Sequence, residues 1–454
     1  MNAPTLPRLD LLSVVSRAVP RYTSYPTAPH FSEAVGAKTY ASWLDTVRTV
    51  GEPISLYLHI PFCRSICTYC GCTTKATRKD GPLRDYAETL HAEIALVAEH
   101  MGPAEVSHLH WGGGTPNILP ADCLERLVDD LKTRFRFRSD MEHAIELDPR
   151  HVTREGAELL ARIGVNRASL GIQTLNLKVQ LAIGRIQPLQ VVRGSFAALR
   201  NAGITQINAD LMYGLPFQSE ADVVVTAKEI AQLAPSRIAL FGYAHVPWMK
   251  SHQRLIADDS LPGTAERLSQ AKAARAALRD EGYAEIGIDH FALPSDPLAV
   301  AAAEGTLKRN FQGYTDDHAT SLIGLGASSI SRTPFGYAQN AADTRSWSRA
   351  IAEKHVPIVR GKALEGDDQL RTAVITSLLC NFSVDLDQLA CEHGSDPTTF
   401  DDDLASLEMF VRAGWLTITG RRVEITQHKI ELARVIAAQF DRYLTQAGRH
   451  SFAV

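Results

Sequence analysis

The chain has 454 residues, 45% of them hydrophobic and 22% charged, with 47 Lys and Arg against 51 Asp and Glu for a formal charge of −4. That composition suits a soluble globular protein of about two or three structural units and excludes collagen-like, disordered and disulfide-scaffold classes. It lacks the basic excess of a nucleic-acid binder, and the longest apolar stretches, such as Ala373–Cys380, fall short of the ~18 residues a membrane span needs.

At the N-terminus, Leu9–Val19 is interrupted by Asp10, Ser13, Ser16 and Arg17. It is not the unbroken apolar run of a secretory signal, so a reducing, cytoplasmic location is expected. Arg21-Tyr-Thr-Ser-Tyr-Pro26 is too rich in turn formers to be helical. Next come β-branched or apolar runs at Ser55–Ile60, Val106–Trp111, His143–Leu147, Arg167–Ile172, Gln206–Met212, Arg237–His245 and Tyr283–Phe291. Between them lie helical periods at Leu83–His100, Ala121–Phe135, Arg154–Ile163, Leu189–Ala202, Glu220–Ala234 and Ala265–Glu281. This alternation predicts successive βαβ units around a parallel sheet. So long a series favours a barrel or open barrel, although a doubly wound sheet alternates in the same way. Residues 294–360 read as irregular and Gly-rich. From about Asp367 the pattern is helical at Gln369–Leu379, Asp385–Glu392 and Asp401–Ala413, with a short hairpin at Leu416–Ile418 and Arg422–Thr426 before a last helix. The expected organisation is an N-terminal segment (1–50), a partial, open parallel β/α barrel (51–365) and a small α-rich C-terminal domain (366–454).

The predicted strands carry polar residues near their C-terminal ends, often two apart and therefore on one face. They are Tyr57 and His59, His108 and His110, Glu146 and Asp148, Gly171 and Gln173, then Asp210, Tyr243 and His245. Parallel strands buried on both faces are normally apolar, and the C-terminal end is where α/β barrels build active sites.

Four of the seven cysteines fall in Cys63-Arg-Ser-Ile-Cys67-Thr-Tyr-Cys70-Gly-Cys72, directly after the first predicted strand. Structural zinc sites usually take four protein ligands as two separated pairs, and Cys123, Cys380 and Cys391 are isolated. Three thiolates on one loop point instead to an iron–sulfur cluster with one open iron, zinc or a redox dithiol being the alternatives.

The C-x3-C-x2-C spacing resembles the radical S-adenosylmethionine (SAM) superfamily. The wider set resembles the oxygen-independent coproporphyrinogen III oxidases: Arg21–Pro26, His59-Ile-Pro-Phe-Cys63, Cys70-Gly-Cys72, His110-Trp-Gly-Gly-Gly-Thr-Pro116, Glu146-Leu-Asp-Pro-Arg150, Gly171-Ile-Gln173, Asp210-Leu-Met-Tyr-Gly-Leu-Pro216, Asp289-His-Phe291, Arg309-Asn-Phe-Gln-Gly-Tyr314 and Cys380-Asn-Phe382. The resemblance implies a radical SAM barrel that makes a 5′-deoxyadenosyl radical from SAM at a [4Fe-4S] cluster. It implies oxidative decarboxylation of two propionates of coproporphyrinogen III to vinyl groups, giving protoporphyrinogen IX.

Residue by residue, it implies Cys63, Cys67 and Cys70 as cluster ligands. Tyr57, Gly113, Gly114, Thr115, Glu146 and Ile330 match contacts to a first SAM, and Tyr69, Gln173, Arg185, Asp210 and Ala244 match contacts to a second. His59, Cys72, Phe311 and Gln312 match positions that matter for activity, and Arg21 and Arg309 are candidates to meet substrate carboxylates. The implied partners are the porphyrinogen and a low-potential electron donor such as flavodoxin or ferredoxin, with a monomeric chain, no nucleic acid and no membrane insertion. The competing reading is a heme-binding chaperone on the same scaffold, against which Cys72, Gln173, Arg185 and Asp210 weigh.

Overall fold

A computed structural model describes residues 10–444; residues 1–9 and 445–454, parts of the expected N-terminal segment and C-terminal domain, lie outside the described residues. Its centre is one sheet of twelve strands. In chain order these are β1 (Ile54–Ile60), β2 (Glu105–Gly113), β3 (Arg136–Leu147), β4 (Arg167–Gln173), β5 (Gln206–Tyr213), β6 (Arg237–Gly242), β7 (Ala284–Ile286), β8 (His290–Ala292), β9 (Ser321–Leu325), β10 (Ile330–Thr333), β11 (Gly336–Asn340) and β12 (Ile358–Ala363).

They lie side by side as β12-β11-β10-β9-β1-β2-β3-β4-β5-β6-β8-β7. Strand β9 and strands β1 to β6 run parallel. Antiparallel strands extend both flanks. The end strands β12 and β7 are not neighbours, so the barrel stays open. Strand β1 shows the logic: Ile54, Leu56, Leu58 and Ile60 are buried on one face, while Ser55, Tyr57 and His59 line the other. Outer helices cover the first face. Ala121–Arg134 presents Cys123, Leu124, Leu127, Val128 and Leu131 to the core at helical spacing.

Several expected elements differ. Arg136–Leu147 begins well before His143, because its first residues are mostly exposed and polar and pair with β2 alone, so no apolar run marks them. The expected Arg237–His245 strand stops at Gly242. Tyr283–Phe291 is not one strand but the antiparallel pair β7 and β8. The region 294–360 is not irregular: it holds β9, β10, β11, the start of β12, the hairpin Lys308–Asn310 and Gly313–Thr315, and the helices Pro297–Ala303 and Thr344–Ala352. Gly324, Gly326 and Gly336 within it are packing residues. At Gly324 a Cβ would come within 2.9 Å of the Ile330 backbone, so the small residue permits the β9–β10 approach that its composition disguises.

The C-terminal helix Asp368–Cys380 forms as read. Asp401–Ala413 breaks into Asp401–Ser406 and Glu408–Arg412, and the last helix is a run of short turns from Gln427 to Phe440. The helix Ala37–Val50 was not foreseen in the sequence. Among the described residues no helix is long and apolar enough to cross a membrane.

Two buried polar ties connect these parts. Glu93 accepts from Gly326 N–H (2.6 Å), Asn340 Nδ2 (2.6 Å) and Trp347 Nε1 (3.1 Å), and burial pushes its pKa up to about 7 against those donors. In the N-terminal segment Tyr22 OH donates to Asp441 Oδ2 (3.0 Å) and Tyr25 OH accepts from Arg442 N–H (3.2 Å).

Candidate functional site

The cysteine loop leaves the C-terminal end of β1 and is clamped from two sides. Thr68 N–H and Oγ1 donate to the carbonyls of Ile183 (3.0 Å) and Ala182 (3.1 Å). From the other side Lys250 Nζ donates to Cys72 O (3.0 Å), His252 Nε2 to Cys70 O (2.7 Å) and Gln253 Nε2 to Tyr69 O (2.8 Å). Each sulfur of the C-x3-C-x2-C set accepts a donor. Cys63 Sγ takes Thr74 Oγ1 (3.4 Å) and Thr115 Oγ1 (3.3 Å). Cys67 Sγ takes Arg185 Nη1 (3.6 Å) and Arg150 Nη2 (3.9 Å). Cys70 Sγ takes the Cys72 backbone N–H (3.4 Å). The Cys72 thiol also donates to Cys70, bringing the Cys70 pKa down to about 6 and its own well up. Cys72 thus differs from the other three: it is a donor to the set.

These thiols and Tyr69 line a cavity of about 160 Å³ whose remaining wall includes Gly113, Gly114, Thr115, Glu146, Gln173, Arg185 and Asp210. Of the strand-end residues predicted from the sequence, Glu146, Asp148, Gly171, Gln173 and Asp210 converge here, whereas His108 pairs with Asp317 in a different cavity and Tyr243 and His245 bond to each other outside this wall. Burial alone would raise the Glu146 pKa, but His110 Nε2 (3.3 Å from Oε1) and Gly113 N–H (3.1 Å from Oε2) outweigh it and hold the carboxylate ionised. Asp210 behaves differently. Burial pushes it up to about 6, although Ser169 Oγ (2.9 Å) and Asn208 Nδ2 (2.8 Å) donate to it. Gln173 sits at a β4 irregularity with φ +68°, a left-handed backbone rare for a non-glycine residue. Arg185 is buried and remains charged: Nη1 pairs with Asp148 (3.1 Å) and Nη2 donates to Gly171 O (2.6 Å).

Tyr57 and His59 stand behind this wall. Tyr57 OH donates to His59 Nδ1 (3.0 Å) and His59 Nε2 donates to Thr73 O (3.1 Å), a pattern that fits the neutral ring that burial favours. Gly113 has φ +107°, and a Cβ there would come within 2.5 Å of the His59 ring.

A second cavity of about 170 Å³ shares Glu146, Ser169 and Asp210 with the first and reaches His110, His290 and Gln312. Gln312 thus belongs to the neighbouring space. Phe311 points elsewhere, packing edge-on against Tyr337 (5.7 Å) beside Tyr22 and Arg309. Ile330 on β10 and Ala244 after β6 line neither cavity; the Ala244 carbonyl accepts from Gln253 Nε2 (3.2 Å). Thr74, Arg150, Lys250, His252 and Gln253 were missed. Only Thr74, two residues past Cys72, carried a local signal.

Comparisons with known proteins agree with this geometry. Residues 57–230 match the radical SAM superfamily, and residues 364–430 match the HemN C-terminal domain. The chain is 43% identical over 450 residues to an oxygen-independent coproporphyrinogen III oxidase of Bradyrhizobium diazoefficiens, covering 98% of this chain and 100% of that one. It is 38% identical to the Escherichia coli protein of the same name over 97% of this chain and 96% of that one. The solved structure of coproporphyrinogen III oxidase (HemN) from Escherichia coli, described as a radical SAM enzyme, superposes with a TM-score of 0.90 at 38% identity, covering 93% of this chain and 98% of that one.

Proposed function

We infer the function of this site from the family to which it belongs: the chain is a member of the oxygen-independent coproporphyrinogen III oxidases, within the radical SAM superfamily. Its reaction is the oxygen-independent conversion of two propionates of coproporphyrinogen III to vinyl groups with loss of CO2, giving protoporphyrinogen IX. The observation that carries this reading is the set of three thiol sulfurs, each supplied with donors, on a cavity that adjoins a second one between the strand ends.

The residues fit a [4Fe-4S] cluster. An all-sulfur donor set with hydroxyl, amide and guanidinium groups aimed at it favours thiolates and offsets the negative charge such a cluster carries. Cys63, Cys67 and Cys70 would hold three irons, and the fourth would have no cysteine of this set as its ligand. When bound, the cluster and SAM supply one-electron, hydrogen-abstracting chemistry that no side chain provides.

The protein's own work is binding and shielding. Glu146, held ionised, suits an ammonium or ribose hydroxyl of SAM, and Gly113, Gly114 and Thr115 let the backbone come close to it. Tyr57 and His59 hold one another and buttress that strand end, and Ile330 belongs to the antiparallel flank behind it. Tyr69, Gln173, Arg185 and Asp210 form the wall for a second SAM, with Ala244 fixed behind the loop through Gln253. Cys72 tunes Cys70, and Gln312 faces the second cavity, while Phe311, beside it on the hairpin turn, packs against Tyr337 and steadies that turn. An electron donor such as flavodoxin or ferredoxin would approach the loop from its exposed Cys72 side. The chain acts as a cytoplasmic monomer without nucleic acid, organised as segments 1–50, 51–365 and 366–454.

The test is anaerobic incubation of cluster-loaded protein with SAM, a reductant and coproporphyrinogen III, with mass spectrometry of the tetrapyrrole. Protoporphyrinogen IX supports the reading. Unchanged substrate in the presence of intact cluster and SAM binding would overturn it.

A further inference from the structure

Where β5 and β6 end, the structure gathers a second concentration of charge from distant parts of the chain. Arg21 of the N-terminal segment donates from Nη2 to Gly242 O (2.8 Å) at the end of β6. Arg309 follows from the hairpin beside β8, donating from Nη2 to Arg21 O (3.2 Å) and from Nη1 to Tyr314 OH (3.0 Å). Arg434, on the C-terminal turn Ala433–Ala437, lines a cavity of about 50 Å³ with Tyr213 and Asp289. Arg21 and Arg309 both lie within its electrostatic reach.

The charges around this point do not balance. Asp289 is the carboxylate all three arginines share, and it is already engaged by His290 Nδ1 (2.7 Å). Among the described residues Arg434 makes no hydrogen bond and no ion pair. The other cations of the same cavity wall do: Lys272 pairs with Glu431 (3.3 Å) and Arg275 with Glu285 (3.7 Å). Burial, and then Arg434, press the Arg21 guanidinium down to about 10. Buried like charges are unfavourable unless an anion answers them. The second cavity adjoins this group through His290, which neighbours Asp289 in the chain, and through Tyr314.

We propose that Arg21, Arg309 and Arg434 form a carboxylate-binding site that holds a propionate of the tetrapyrrole other than the one reacting. The proposal rests on the reading of function above and deepens it. Guanidinium groups bind a carboxylate as an anion, often bidentately. A carboxylate leaving as neutral CO2 would forfeit that attraction, so a cationic cluster opposes decarboxylation of the group it grips. It therefore suits a propionate that survives into the product and serves to position the ring.

The test measures binding of coproporphyrin III, the oxidised fluorescent counterpart of the substrate, and of its uncharged tetramethyl ester to the holoenzyme. The Arg434→Gln and Arg21→Gln variants are compared with the unaltered protein. The expected result is weakening by about tenfold or more for the acid, with ester affinity unmoved and partial rescue by Arg434→Lys. Should Arg434→Gln fail to fold, Arg21→Gln carries the measurement. Acid affinity within about twofold of the parent, or equal losses for acid and ester, would overturn the proposal. Failure of the parent protein itself to bind coproporphyrin III would instead bring down the reading of function, and this site with it.

Discussion

Arg185 Nη1 lies 3.6 Å from Cys67 Sγ and 3.1 Å from Asp148 Oδ2, so a single buried guanidinium ties the cysteine loop to the end of β3. Arg150 also pairs with Asp148 (2.6 Å), which leaves that carboxylate a partner if Arg185 is lost. Arg185→Gln should therefore destabilise the apoprotein by about 1–3 kcal/mol, below the usual penalty for orphaning a buried charge. It should also make the cluster harder to reduce, since a donor and a positive charge near one sulfur disappear. Urea denaturation and an EPR-monitored redox titration read the two effects. Unchanged values in both would show that the contact is incidental.

Replacing Cys63, Cys67 or Cys70 with Ala should each strip the brown chromophore, lower the iron content and abolish SAM cleavage. Cys391 is the control: it is exposed on the helix Leu386–Glu392, away from the loop, and Cys391→Ser should retain iron and cleavage. Iron and sulfide assays after anaerobic reconstitution decide the matter. A Cys67→Ala protein with a full complement of iron would contradict the ligand assignment.

The parts of this site that were legible in the sequence are those in which chemistry and local period coincide. Cysteine spacing is a property of one loop, and Glu146 and Asp210 stood out as acids at the ends of otherwise apolar runs. What holds the loop in place was not legible. Lys250 and Cys72 are 178 residues apart, and nothing local marks either as the other's partner. In the fold, β1 to β6 follow from the alternation of apolar runs and helical periods. Strand β9 and the antiparallel flank β10 to β12 escaped notice because Gly324 and Gly326 are required by close backbone approach, whereas in a sequence glycines read as loop. Ala244 and Ile330 show what only a resemblance can name: both are apolar positions outside the two cavities that no local pattern marks.

Gly326 is a sharp probe of that flank. It has φ +94°, and a Cβ there would lie 2.5 Å from both His59 O and Tyr86 OH, the two ends of a 2.6 Å hydrogen bond. Gly326→Ala combines left-handed backbone strain of about 1–2 kcal/mol with overpacking of about 1–3 kcal/mol. The expected loss is at least about 2 kcal/mol of stability in denaturant melts, with slower incorporation of iron because His59 and β1 shift beneath the loop. A variant as stable as the parent would mean that β9 relaxes without disturbing Tyr86.

Asp210 links stability to function through its proton. Burial raises its carboxyl in the folded chain from the ordinary 3.8 to about 6. Below about pH 3.8 both folded and unfolded chains hold the proton and the group contributes no penalty. Between there and about pH 6 the unfolded chain has released it while the folded chain retains it, so stability falls as pH rises through this window. Above about pH 6 the penalty is constant, at most about 3 kcal/mol and less where cavity water screens the charge. Asp210→Asn keeps the shape and can still accept from Asn208, but it has no charge to desolvate. The variant should be more stable than the parent at pH 7 and should lack this part of the decline between pH 4 and 6 in urea melts. Product formation should fall nonetheless, because Asp210 faces both cavities. An Asn variant less stable at pH 7, with the parent's pH slope intact, would show that the carboxylate is compensated in the folded protein and that its burial carries no such penalty.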